Sequence, residues 1–306
     1  MSSTEPAEQL ITVPGTGQRL DVVVAKAADV SRTVAAHMIQ DGLVSVDGQR
    51  GLKSMRPDAE SKITVKIVAA EEVEEPVQDI PIVYEDADLV VINKPVGVAA
   101  HPSPGWAGPT VTGQLARQGI AIATSGAQER AGIVQRLDVG TSGLMVVAKS
   151  EPAYAGLKQA FKDRTPTKIY HAVVQGLPDP MEGTIDAPIG RHPNATWRFA
   201  VVTEGRNAVT HYKLEEAFGT ASMMRVKLET GRTHQIRVHF SAMGHPLVGD
   251  QQYGADPTLA AQLGLTRQWL HAKELGFTHP VTGEEMYLEA PYPQDLVDSL
   301  ALLREE

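Results

Sequence analysis

The chain has 306 residues, no cysteine, a formal net charge of −9 and 42% hydrophobic residues. This excludes disulfides, thiolate nucleophiles and cysteine metal sites, excludes a wholly disordered chain, and predicts one large domain with a small one beside it. No apolar run reaches the about 18 residues of a membrane span, and residues 1–9 lack a secretory pattern, so a cytoplasmic protein is expected.

Residues 1–16 read as a flexible polar tail. A compact unit is expected over 17–70. Ser31 is a good N-cap for a helix carrying Val34, Met38 and Ile39 at helical spacing, with Gly42 as its stop. Residues 43–46 alternate as a strand, Asp47-Gly48 signals a tight turn, and 63–68 alternate again. Residues 71–79, acidic and broken by Pro76, read as a linker.

The large domain is expected over 80–306. Strands are predicted at 83–84 and 88–95, a helix at 111–117, and strands at 133–134 and 143–149. Ser150 caps a helix reaching about Arg164, with Tyr154, Leu157 and Phe161 on one face. Strands follow at 169–174, 209–214 and 223–228. Gly231-Arg232-Thr233 opens a helix with Ile236, Phe240 and Met243 inward, and a last helix covers 295–303. Many strands and few helices, not in strict alternation, predict an α+β fold built on a mixed or antiparallel sheet, not a doubly wound one.

Charge is unevenly spread. Residues 71–90 hold eight acids and no Lys or Arg, whereas 155–240 hold 12 basic and 8 acidic side chains. Phosphate responds to the local field, so the acidic total does not exclude a nucleic-acid partner.

The segment Gly132 to Leu144 is the most informative. A strand is expected to carry Arg136 and Asp138 on one face, before a Gly/Thr/Ser turn, which places a carboxylate at the rim of a cleft. By residue type alone, an Arg–Asp pair is more often a structural salt bridge. Lys168 and Tyr170 share a strand face, and Arg232, His234, Arg237 and His239 share a helix, readings equally compatible with solvated surfaces. His234 and His239 are five apart, not the four of a helical zinc pair, so no metal is expected.

The run Gln135-Arg136-Leu137-Asp138-Val139-Gly140-Thr141-Ser142-Gly143-Leu144 resembles the catalytic motif of the RluA-type pseudouridine synthases, with Gln135 where that motif has histidine. The segments Tyr84 to Pro102, Lys168 to Val174, Thr230 to His239, and His245 to Asp250 with Tyr253-Gly254 resemble that family's other motifs, in order. Residues 18–68, with Arg19-Leu20-Asp21, Arg32 and Asp41 to Gly48, resemble an S-four type RNA-binding domain. The tandem is most similar to the RluD-like enzymes of large-subunit ribosomal RNA.

The resemblance implies a pseudouridine synthase fold for 80–306 and isomerisation of uridine in structured RNA, with large-subunit ribosomal RNA as partner. It implies no cofactor, because no group leaves and no redox step occurs. It assigns Asp138 as nucleophile or base, Arg237 as the arginine pairing with it, and Tyr170 as the residue stacking on uracil. Arg136 is implied to fill the space of a flipped nucleotide or hold its backbone. Arg19, Arg32, Lys168, Arg232 and His234 are expected to contact RNA, and a monomer is expected. An RNA-binding protein without catalysis and a two-carboxylate hydrolase are the competing readings.

Overall fold

The computed structural model describes residues 8–28, 30, 32–68, 79–103, 106–126 and 131–305. The chain divides into two units, Met1–Glu75 with Ser103–Ala107, and Pro76–Pro102 with Gly108–Glu306.

In the smaller unit the elements are β1 (Glu8–Pro14), α1 (Leu20–Ala27), α2 (Arg32–Gln40), β2 (Val44–Val46), β3 (Gln49–Arg50) and β4 (Lys62–Val68). The strands form one antiparallel sheet in the order β1-β4-β2-β3. Leu20 and Val24 of α1, Ala35 and Ile39 of α2, Val44, Ile63 and Val65 are buried together as its core. Asp47 (φ 51°) and Gly48 (φ 80°) are both left-handed, the conformation of a two-residue hairpin turn whose twist matches its strands. Within the expected tail at 1–16, residues 8–14 are instead a strand. β1 pairs with β4 from Glu8↔Val68 to Pro14↔Lys62. Ile11 and Val13 pack on the core while Leu10 faces out, so a weak alternation was masked by the polar residues before it. Ser31 and the stretch 71–78 lie outside the described residues.

The larger unit contains β5 (Ile82–Glu85), β6 (Leu89–Lys94), α3 (Val111–Arg117), β7 (Ser142–Ala148), α4 (Glu151–Asp163), β8 (Thr167–Gln175), β9 (Glu182–Asp186), β10 (Ile189–His192), β11 (Ala195–Val201), β12 (Val209–Ala217), β13 (Ala221–Leu228), α5 (Gln235–Ala242), α6 (Pro257–Gln262), β14 (Leu270–Thr278), β15 (Glu285–Glu289) and α7 (Gln294–Glu305). A nine-stranded sheet runs β5-β6-β7-β14-β8-β13-β12-β9, with β15 on β14, and β10-β11 form a separate ribbon. β7 and β14 are parallel and the other pairings antiparallel, so the sheet is mixed, as expected of an α+β fold.

Core lies on both faces of this sheet. Met145, Val147, Ala172, Val174, Val226 and Phe240 belong to one cluster, and Leu144, Val146, Leu157, Leu275 and Phe277 to another. β7 is therefore buried along its whole length, and from Leu144 to Ala148 it reads as an unbroken apolar run. Ser150 caps α4 by accepting from the Ala153 N–H, and Arg164 closes it in the left-handed conformation.

Residues 133–134, predicted as a strand, make only a single bridge, Ile133 to Val147. Arg136 and Asp138 consequently stand on an irregular segment leading into β7. Gly132 (φ 70°) passes too close to the Ala148 carbonyl for a side chain, and the path needed to do so ends regular pairing.

Candidate active site

The segment before β7 is clamped on three sides. The Thr141 N–H donates to the Asp138 carbonyl at 2.9 Å and closes a turn. The Gly97 N–H donates to the Val139 carbonyl at 3.0 Å, and Arg267 Nη1 to the Gly140 carbonyl at 3.2 Å. Leu137 is buried in the core between Arg136, which is exposed, and Asp138, whose side chain keeps 16% of its surface. Alternation thus survives locally and turns the carboxylate into a cavity of about 540 Å³, a size suited to a small ligand or nucleotide.

Arg237 comes from the first turns of α5. Its Nε and Nη2 hold Asp250 at 2.7 and 2.9 Å, Nη2 also donates to Gln252 Oε1 at 2.7 Å, and Nη1 reaches Asp138 Oδ2 at 3.4 Å. The Tyr253 ring lies 4.8 Å from the guanidinium. Burial opposes the charge, but Asp250 and then Asp138 more than offset it, so Arg237 stays cationic. The principal partner of Arg237 is therefore Asp250, and Asp138 receives its remaining edge. Asp250, Gln252 and Tyr253 went unassigned in the sequence. They sit in a matched segment, but nothing in it signals a shared guanidinium.

Residues 230–234 enter α5 without a side-chain N-cap. Buried Gln235 ties them down instead. Its Oε1 accepts from Thr230 Oγ1 and the Arg232 N–H, and its Nε2 donates to Val209 O and Thr210 Oγ1. His234 is left-handed (φ 56°), with Nδ1 2.8 Å from Tyr253 Oη and Nε2 3.7 Å from Asp138 Oδ2.

Tyr170 lines the cavity from β8. Burial, then the nearby Asp138, pushes its phenol well above the ordinary range, so it stays a neutral donor. Lys168 lies two residues earlier on the same face, its pKa lowered to about 8 by burial and then by Arg164. Arg232 donates from Nε to the Asn207 carbonyl at 2.9 Å and is crowded by Arg164 and Arg206, which lower its pKa after burial does. Arg164 is paired with Glu229 at 3.3 Å, so the three arginines and one acid leave a net positive field on this side of the cavity.

Asp138, Tyr170, Arg237, Arg136, Lys168, Arg232 and His234 are thus brought to one cavity, whereas Arg19 and Arg32 belong to the smaller unit. There both pair with Asp21, at 3.0 Å each, whose side chain is 3% exposed. Burial would raise the Asp21 pKa, but the two arginines outweigh it and hold it low. Arg32 still lines a second cavity with Arg50 and Lys53. Gln135 also lines the first cavity, and its Nε2 is buried with no hydrogen-bond partner. The acids of the opening segment serve the fold: Asp86 accepts from the Asp88 and Leu89 N–H groups and from Tyr84, and pairs with His279.

The family described as RNA pseudouridylate synthase matches residues 88–242. An uncharacterized RNA pseudouridine synthase of Mycobacterium tuberculosis is 52% identical over 98% of this chain and 99% of its own. The ribosomal large subunit pseudouridine synthase D of Vibrio cholerae is 43% identical over 95% of this chain and 92% of its own. Among solved structures, Human RNA Pseudouridylate Synthase Domain Containing 4 superposes with a TM-score of 0.57 at 27% identity, covering 73% of this chain and 93% of that one.

Proposed function

The chain belongs to the RNA pseudouridylate synthase family, and on that footing we propose that it isomerises uridines of large-subunit ribosomal RNA with Asp138 as its reacting carboxylate. The reaction breaks the N1–C1′ bond, turns the uracil, joins C5 to C1′, and moves a proton from C5 to solvent while N1 gains one. The observation that carries the reading is a carboxylate with Arg237 on one oxygen and Tyr170 nearby, at a cavity large enough for a nucleotide.

Asp138 acts at the sugar, by adding to C1′ or by taking the C2′ proton. Arg237, locked by Asp250, fixes the carboxylate. Tyr170 stacks on the uracil as a neutral phenol. Arg136 occupies the gap left by the flipped nucleotide or holds its backbone. Lys168 and Arg232 meet flanking phosphates, and Arg19 and Arg32 offer a second basic surface in the smaller unit, read here as an S-four type RNA-binding domain. The RNA substrate argues for a cytoplasmic enzyme. It is read as a monomer, and a redox-neutral rearrangement with no leaving group calls for neither metal nor cofactor.

The RNA is identified by sequencing carbodiimide-treated RNA from cells with and without the gene. Loss of stops at discrete uridines of large-subunit ribosomal RNA is expected. Loss confined to another RNA would contradict the substrate.

A further inference from the structure

We infer that His234, oriented by Tyr253, is a positioning residue that directs an N–H at Asp138 Oδ2 and leaves Oδ1 as the reacting oxygen. The inference rests on the isomerase reading above and deepens it.

His234 is one of three non-glycine residues with positive φ among those described. Unlike Asp47 in a hairpin turn and Arg164 at a helix C-terminus, His234 takes this conformation at a helix N-terminus, where its surroundings must hold it. The imidazole stands edge-to-face with Phe199 (5.8 Å, 73°) and with Tyr253 (5.6 Å, 87°). Tyr253 Oη accepts from the Phe199 N–H at 3.2 Å, which leaves its own proton for His234 Nδ1 at 2.8 Å. An imidazole accepting at Nδ1 carries its proton on Nε2, the nitrogen facing Asp138 Oδ2 at 3.7 Å. Contacts of this length tighten when substrate closes a site.

Arg237 Nη1 approaches the same Oδ2 at 3.4 Å. Two donors therefore converge on one carboxylate oxygen, and no described side chain hydrogen-bonds to the other. Groups around the imidazole act in both directions. Burial lowers the His234 pKa, Asp138 raises it, Arg237 lowers it, Asp250 raises it and Arg136 lowers it, with the sum below 6.5. At neutral pH the ring is uncharged and its tautomer decides what Asp138 meets. His234 thus acts on Asp138 through its edge while still lining the cavity in which RNA contact was expected of it.

The test measures pseudouridine formation by the full chain carrying H234A, H234Q, Y253F or the H234Q/Y253F pair, with the ¹⁵N spectrum of wild-type His234. The Gln amide nitrogen falls near imidazole Nε2 and donates without a tautomer to choose. H234A should lower kcat about tenfold, the value of one hydrogen bond to a charged group, with KM for RNA unchanged. H234Q should restore most of it. Y253F should slow the His234 enzyme several-fold and not slow the H234Q enzyme further, a coupling that a purely structural role would not produce. The spectrum should show the Nε2–H tautomer. An Nδ1–H tautomer, equal losses from Y253F in both backgrounds, or an H234A defect confined to KM would overturn the inference. D138A assayed in parallel separates the two claims: its inactivity beside full activity of H234A would remove the role of His234 and leave the isomerase standing.

Discussion

Lys94 ends β6 with no exposed surface, and its Nζ donates to the carbonyls of Pro95 and Val98 at 2.8 Å each. It thereby fixes the 95–98 turn, whose Gly97 N–H holds the Val139 carbonyl beside Asp138. Burial pushes its pKa down from 10.5 to about 7, against the pull of Asp138. A neutral amine still has the hydrogens both carbonyls need. Between the two values the unfolded chain binds more protons than the folded one, so stability rises with pH across that window. Below it both states are charged and the burial penalty is complete. Urea unfolding should show wild type gaining on Lys94→Met from pH 7 to 10, by on the order of 1 kcal/mol per pH unit at most. A constant difference would mean that the lysine is not desolvated. Asp138, Tyr170 and Arg237 were legible in the sequence because each sits in a distinctive motif. Lys94 and Asp250 were not assigned: Lys94 acts by holding backbone carbonyls, which no side-chain pattern signals, and Asp250 through Arg237, 13 positions away.

At the scale of elements, the decisive feature is the parallel register of β7 and β14, His271↔Ser142 and Ala272↔Gly143, four to five residues after Asp138. Gly143 has φ 113°, and a Cβ there would stand 2.3 Å from the Ala272 carbonyl oxygen. Gly143→Ala should cost about 3 kcal/mol or more and disturb the carboxylate segment with it, measured as a lower urea midpoint together with lost activity. An unchanged midpoint would show that the two strands can part freely. The helices were readable from caps and spacing, and α3 begins and ends as predicted. β14 was not, although it is central. It buries His271 and Glu274, the first against Ser142 Oγ at 2.9 Å and the second against Arg225, so hydropathy hides a buried strand. β1 escaped notice for the opposite reason, an alternation too short to stand out beside polar neighbours.

For the whole molecule, a net charge of −9 and an RNA substrate are compatible because potential is screened within about 8–10 Å at ordinary salt. Arg164, Arg206 and Arg232 set a local positive field, while the acids of 71–90 lie elsewhere in the sequence. The order of motifs along the chain was readable; their convergence on one cavity required the sheet. Tritium release from RNA labelled at uracil C5 reports whether this cavity breaks and remakes a glycosidic bond through Asp138. Wild type should release tritium in step with pseudouridine formed, and a folded Asp138→Asn variant that still binds the RNA should release none. Release by that variant at a rate near wild type would mean that Asp138 is not the reacting carboxylate.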